Sequence, residues 1–181
     1  MASAASAATA TATATAAASA SACGCTTCAV IPGSHSFLHF GNVKGVDYFY
    51  TAPARASLAE SPDVRIANFK KHLDMAKGRP WVWIFDCGGM EMKHAMSVEH
   101  IRRLTSILIE EHAEVLQRLV IVRPTIWVQG MVTLMRQLVP AALGRRLEVV
   151  DGGKLEQLVA LERVGLQGAP LVWLNGVVSS V

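Results

Sequence analysis

The chain has 181 residues, of which 51 % are hydrophobic and only 17 % charged, and a formal net charge of +3. That length suits one domain, and so small a charge, with no Arg/Lys cluster interleaved with aromatics, argues against nucleic acid as a partner. The 4 cysteines, with Cys23, Cys25 and Cys28 crowded together, make no disulfide framework and point to a reducing compartment.

Residues 1–22 are an Ala/Ser/Thr tract without apolar period, and no Lys, Arg, Asp or Glu occurs before Lys44. Such a tract buries too little surface to offset its ordering entropy. Residues 1–43 are therefore expected to be a disordered tail carrying the Cys cluster, and residues 44–181 a single domain. The tail lacks the basic start and Leu-rich core of a secretory signal. It is Ser-rich and acid-poor like an organellar transit peptide, but no Arg occurs until Arg55. Cys23, Cys25 and Cys28, with His35 or His39, are read as tail thiols rather than a zinc site or lipidation site.

Pro32-Gly33, Gly41-Asn42 and Gly45 surround the aromatic run Tyr48-Phe49-Tyr50 and read as a hairpin or an edge strand. Ser61-Pro62-Asp63 starts a helix: Ser caps free amides, Pro suits the first position and Asp favours the positive end of the dipole. Ile66, Phe69, Leu73 and Ala76 then recur at helical spacing until Gly78 and Pro80 end it.

Trp81-Val82-Trp83-Ile84-Phe85-Asp86 is apolar at both parities, as expected of a parallel strand covered on both faces. Asp86 and Gly88-Gly89 match neither a dinucleotide fingerprint nor a phosphate loop and are read as a turn. A helix is predicted over 97–112, capped by Ser97, with Val98, Ile101, Leu104 or Thr105, and Leu108 on its buried stripe. His94, His100 and His112 place no pair at i, i+4, so they are expected to be surface residues and no metal site is predicted. Cys87 with His94 nearby has the parts of a thiol nucleophile and its base, yet no nucleophile elbow or carboxylate pair accompanies them. No catalytic residue and no cofactor are therefore expected.

A second strand, Leu119-Val120-Ile121-Val122, stops at Arg123-Pro124, and a third, Leu147-Glu148-Val149-Val150, follows. Alternating strands and helices define an α/β fold with a mostly parallel sheet and crossover helices. The helix predicted over 127–139 stands out. Its polar residues, Gln129, Thr133, Arg136 and Gln137, fall on one narrow stripe, leaving more apolar surface than one buried face requires. Deeper burial, a cavity for an apolar ligand, and docking on a membrane or partner are three outlets for that surface, and the pattern leaves all three open. Leu171-Val172-Trp173-Leu174 reads either as a last strand or as an exposed stub.

In order, the strand 81–86 with its Asp-x-x-Gly exit, the Arg123-Pro124-Thr125-Ile126-Trp127 turn, the apolar helix closing at Pro140, and Arg145-Arg146-Leu147-Glu148-Val149-Val150 resemble a CRAL-TRIO (Sec14-like) domain. Asp151 to Leu166 is more similar to the divergent BCH-type branch. The resemblance implies a hydrophobic pocket shut by an apolar gating helix and a non-catalytic role in binding a lipid or other small hydrophobic molecule, for transfer, sensing or signalling. It also implies a cytoplasmic protein in transient contact with membranes. The pocket-lining candidates are Trp83, Phe85, Val122, Trp127, Met131, Leu134, Met135 and Leu138, with Val82 and Ile84 taking the strand positions if the parity is reversed. Arg136, Arg145 and Arg146 are candidates for head-group or membrane contact. The BCH-type likeness implies an alternative, an interaction module for a small GTPase or another protein, with no ligand. The usual preceding helical lobe is not recognisable, and the gating-helix Lys of phosphatidylinositol-transfer members falls at Met135, with Arg136 beside it, so the resemblance leaves phosphoinositide specificity open while apolar-chain binding is untouched.

Overall fold

The computed structural model describes residues 31, 33–34, 37–56, 60–76, 78–94 and 98–179. The Cys23/Cys25/Cys28 cluster, His35, Ser97 and the tract before residue 31 lie outside the described residues.

One five-stranded sheet organises the fold: β1 (Leu38–Val43), β2 (Val46–Thr51), β3 (Trp81–Asp86), β4 (Leu116–Val122) and β5 (Leu147–Val150), in that spatial order. β1 and β2 are antiparallel, and every later pairing is parallel. The hairpin closes at Val43↔Val46 through Lys44 and Gly45, both at positive φ (52° and 86°), the geometry of a two-residue turn that matches strand twist. The domain boundary expected at Lys44 thus falls in the middle of a paired hairpin. The uncharged residues before it continue the sheet because Leu38 and Phe40 bury their side chains.

The crossover helices are α1 (Pro62–Leu73), α2 (Val98–His112) and α3 (Ile126–Leu138), the last followed by the single turn α4 (Ala141–Gly144). Strands laid down in sequential order by crossovers of one hand put all these helices on one face. There Ile66, Phe69, Leu73, Leu104, Leu108, Val128 and Val132 pack on Phe49, Trp81, Trp83, Phe85, Leu119 and Ile121. Ser61 caps α1 as its sequence predicts, accepting from Val64 N–H at 3.3 Å. The opposite face, Tyr48, Tyr50, Val82, Ile84, Val120 and Val122, is covered by α5 (Lys154–Arg163) and α6 (Gly168–Ser179).

α6 settles the C-terminal alternatives: Leu171 to Leu174 form neither a strand nor a stub but part of a helix packed on the sheet. Leu174 is buried, and the Trp173 ring stacks on Phe40 with centroids 4.9 Å apart. A side chain at Gly41 would collide with Pro170 of this helix, so the close approach requires glycine.

At the C-terminal end of β3, the fully buried Asp86 carboxylate gathers four donors. Arg123 Nε and Nη2 donate to its two oxygens at 2.8 and 2.7 Å, Tyr50 Oη at 2.6 Å and Gly88 N–H at 2.9 Å. Arg123 Nη1 reaches on to the Val178 carbonyl of α6 at 3.2 Å. The guanidinium lies against Gly88 so closely that any Cβ there would overlap it, and Arg123 itself holds a left-handed backbone, φ 54°. The turn read after β3 is therefore also the seat of a buried ion pair. Arg123→Ala leaves that carboxylate buried without its counter-charge and is expected to cost about 3–5 kcal/mol in urea unfolding. A loss below about 1 kcal/mol would show that the carboxylate does not depend on the pair.

Candidate apolar ligand site

β3 alternates strictly. Trp81, Trp83 and Phe85 face the crossover helices, while Val82, Ile84 and Asp86 face α5 and α6. In the parallel register Phe85 stands beside Ile121, and Asp86 beside Val122. Trp83, Phe85, Leu119 and Ile121 accordingly form the floor of a space whose walls are Ile101, Leu104 and Thr105 of α2. Its roof is Val128, Met131, Val132 and Met135 of α3. The space measures about 30 Å³. A second one, about 10 Å³, shares Thr105, Leu119 and Met135 and runs on toward Leu143 and Leu147. Drug-sized ligand pockets measure about 300–1,000 Å³, so the space here is far smaller, with α3 packed down on the sheet.

Four of the expected lining residues, Trp83, Phe85, Met131 and Met135, meet around this space. Val122 does not, since its register partner is Asp86 and it packs on the opposite face; Ile121 occupies the position foreseen for it. Trp127 is 48 % exposed and Leu134 half-buried, neither lining the space. The Leu138 side chain is outside the described residues. Placing the buried face directly opposite the polar stripe centres it near Met131. The helix is instead rotated toward Val128 and Val132, 1 % and 6 % exposed, which turns Trp127 outward; Ile126, at 77 % exposed, lies on the polar stripe in either phase. The i, i+4 valine pair was the one available signal of this phase.

The expected basic contacts divide. Arg136 and Arg145 are exposed, whereas Arg146 donates through Nη1 to the carbonyls of Ala113 and, at 2.6 Å, Leu116. Its Nη1 thus ties the end of α2 to the start of β4.

The histidines expected at the surface are buried: His94, His100 and His112 are 9 %, 4 % and 1 % exposed. Each substitutes for an apolar residue on an inward face. His112 meets the Trp81 ring at 5.6 Å, His100 meets Phe69 at 6.2 Å, and His94 Nδ1 accepts the Glu91 N–H at 3.0 Å. Among the described residues, no His, Cys, Asp and Glu side chains converge as a metal site. Burial, with Arg65 and Arg103 nearby, holds the His100 imidazole below its ordinary pKa. The unfolded chain takes up a proton near pH ~6.5 while the folded one resists it, so stability is full above that pH and declines as pH falls toward the lowered folded value. His100→Asn is expected to flatten this decline in urea midpoints measured from about pH 8 to 5; an unchanged slope would assign it to other groups.

Cys87 is fully buried, and burial, then the neighbouring Asp86 charge, pushes its thiol well above the ordinary range. Burial and protonation both lower the reactivity of such a thiol. Iodoacetamide at about pH 8 is expected to leave Cys87 unlabelled in the native protein and to label it after unfolding, read by peptide mass spectrometry; native labelling would return it to candidacy as a catalytic group.

The mostly parallel sheet with crossover helices on one face and two helices on the other defines the class of the domain as α/β. The CRAL/TRIO domain family matches residues 63–165, more than half of the chain, and the chain belongs to that family. Such domains bind lipids or other small hydrophobic molecules and are generally non-catalytic. β1, β2 and α6 lie outside the matched stretch. No curated protein matches the chain. Among the described residues no helix is long and apolar enough to cross a membrane.

Proposed function

We propose that the seam between β3, β4, α2 and α3 is the ligand site, and that α3 swings away from the sheet to admit a lipid or similar apolar molecule for transfer or sensing at a membrane. The observation that carries this reading is the roof. Met131 and Met135, the most adaptable of apolar side chains, close a space whose lining is apolar apart from Thr105, on a helix that also has Ile126 and Trp127 on the outside. Neither end of α3 has a side-chain cap, and Pro124 and Pro140 bracket it, so both ends favour hinging over continuation. With the lid open, Ile126 and Trp127 would enter the bilayer interface while Arg136 and Arg145 meet acidic head groups. Affinity would come from apolar area, at about 25 cal/mol per Å² removed from water. The role needs neither a catalytic group nor a cofactor, and suits a cytoplasmic protein peripheral to membranes.

The closed space, about 30 Å³, supports a second reading, a filled BCH-type module that binds a small GTPase or another protein and no ligand. Purified protein extracted with organic solvent is expected to release co-purified lipid detectable by mass spectrometry and to take up labelled lipid from vesicles. Met135→Glu, which puts a charge in the roof, should reduce uptake at least about tenfold, since an unpaired buried carboxylate costs well over 1.4 kcal/mol. Uptake by neither protein, with no lipid in the extract, would favour the interaction module.

A further inference from the structure

Among the described residues that line the seam, one polar side chain is unsatisfied. Around the larger space only Trp83 and Thr105 carry hydrogen-bonding groups stronger than a thioether. Trp83 Nε1 is occupied, donating to Thr51 Oγ1 at 3.0 Å. Thr105 is 4 % exposed, and its hydroxyl has no hydrogen-bond partner among the described residues.

A helical Thr ordinarily back-bonds to the carbonyl four residues earlier, as Thr133 does to Gln129 at 3.0 Å. Thr105 does not, and it lines both spaces at the point where they adjoin. Leaving such a group unpaired is costly, and valine would fill the same volume at no such cost. One water would fit in about 30 Å³, but a buried water needs two to four polar partners, and this seam has one to give.

The surroundings also limit charge. No ionisable side chain lines the larger space; Arg146 borders only the smaller one, where its Nη1 donates to two carbonyls. An ionised group in the larger space would be buried without compensation.

We infer that the ligand of this seam is a neutral apolar molecule bearing one hydroxyl or carbonyl oxygen, anchored by the Thr105 hydroxyl, which donates to a carbonyl or exchanges a hydrogen bond with an alcohol. The inference rests on the seam being a ligand site. The anchor sits on α2, which stays tied to α1 by Lys70–Glu111 at 2.8 Å and the His100–Phe69 ring contact, so it holds its place when α3 lifts.

The test titrates the full chain with decane, decanol, decanone and decanoate, following tryptophan fluorescence, in wild type, Thr105→Val and Thr105→Ser. Thr105→Val is expected to weaken decanol and decanone about tenfold, the effect of one buried hydrogen bond, and to change decane less than about twofold. Thr105→Ser should keep the wild-type affinities for the oxygenated probes. Thermal melting at or above the wild-type midpoint will show that the valine variant is folded. Decanol binding untouched by valine, a parallel loss of decane, or decanoate as the tightest wild-type probe overturns the inference while leaving the ligand site standing. Binding of none of the four overturns both.

Discussion

The buried Asp86–Arg123 pair is the constraint on which the arrangement of this molecule depends. A carboxylate taken fully out of water at the end of the central strand must be matched by donors, and the chain supplies them from separate places. They are Tyr50 on β2, the Gly88 amide in the following turn, and both arms of the Arg123 fork beyond β4. The same guanidinium reaches the Val178 carbonyl, so the C-terminal helix is keyed to the strand ends as well. Buried beside that charge, the Tyr50 phenol is pushed far above its usual pKa and remains a donor. Arg123 adopts a left-handed backbone in meeting the carboxylate, and α3 starts three residues later.

The two faces of the sheet then take different roles. The face under α5 and α6 is filled by tyrosines and branched aliphatics against two helices laid on after the last strand. The other face carries Trp81, Trp83 and Phe85 beneath helices that arrive one crossover at a time. α1 and α2 are linked to each other by ring contacts and by the Lys70–Glu111 and Arg103–Asp63 pairs. α3 rests on methionines and valines over small residual spaces, and among the described residues no charged pair holds it down. Its contact with the sheet is apolar and non-directional, the kind that a ligand of similar surface can replace.

Much of the fold was legible in the residues. Both parities of β3 are apolar because both faces are covered; Ser61-Pro62-Asp63 starts α1 because those side chains serve its free amides; and the surplus of apolar residues in α3 marks the helix beside the seam. The errors have a shared origin. The three histidines were assigned to the surface by residue type, yet each occupies an inward position beside a ring or a backbone donor. The helix α6 was hidden because four successive apolar residues carry no period, and its two glycines disfavour helix. Val122 was placed on the wrong face by a one-residue difference in register, enough in a strand to reverse every side chain.

What the sequence determined by itself is therefore local and periodic: the identity of most strands and helices, the mostly parallel α/β class, and the stretch whose helix carries surplus apolar surface. Spacing and capping carry that information because they act within a few residues of one another. The rotational phase of α3, the burial of the histidines, the assignment of Arg146 to backbone carbonyls and the orphaned hydroxyl of Thr105 were decided only by tertiary structure. Each depends on which distant group arrives opposite, and the Asp86 carboxylate, drawing in Arg123 from 37 residues away, is the plainest instance of that dependence.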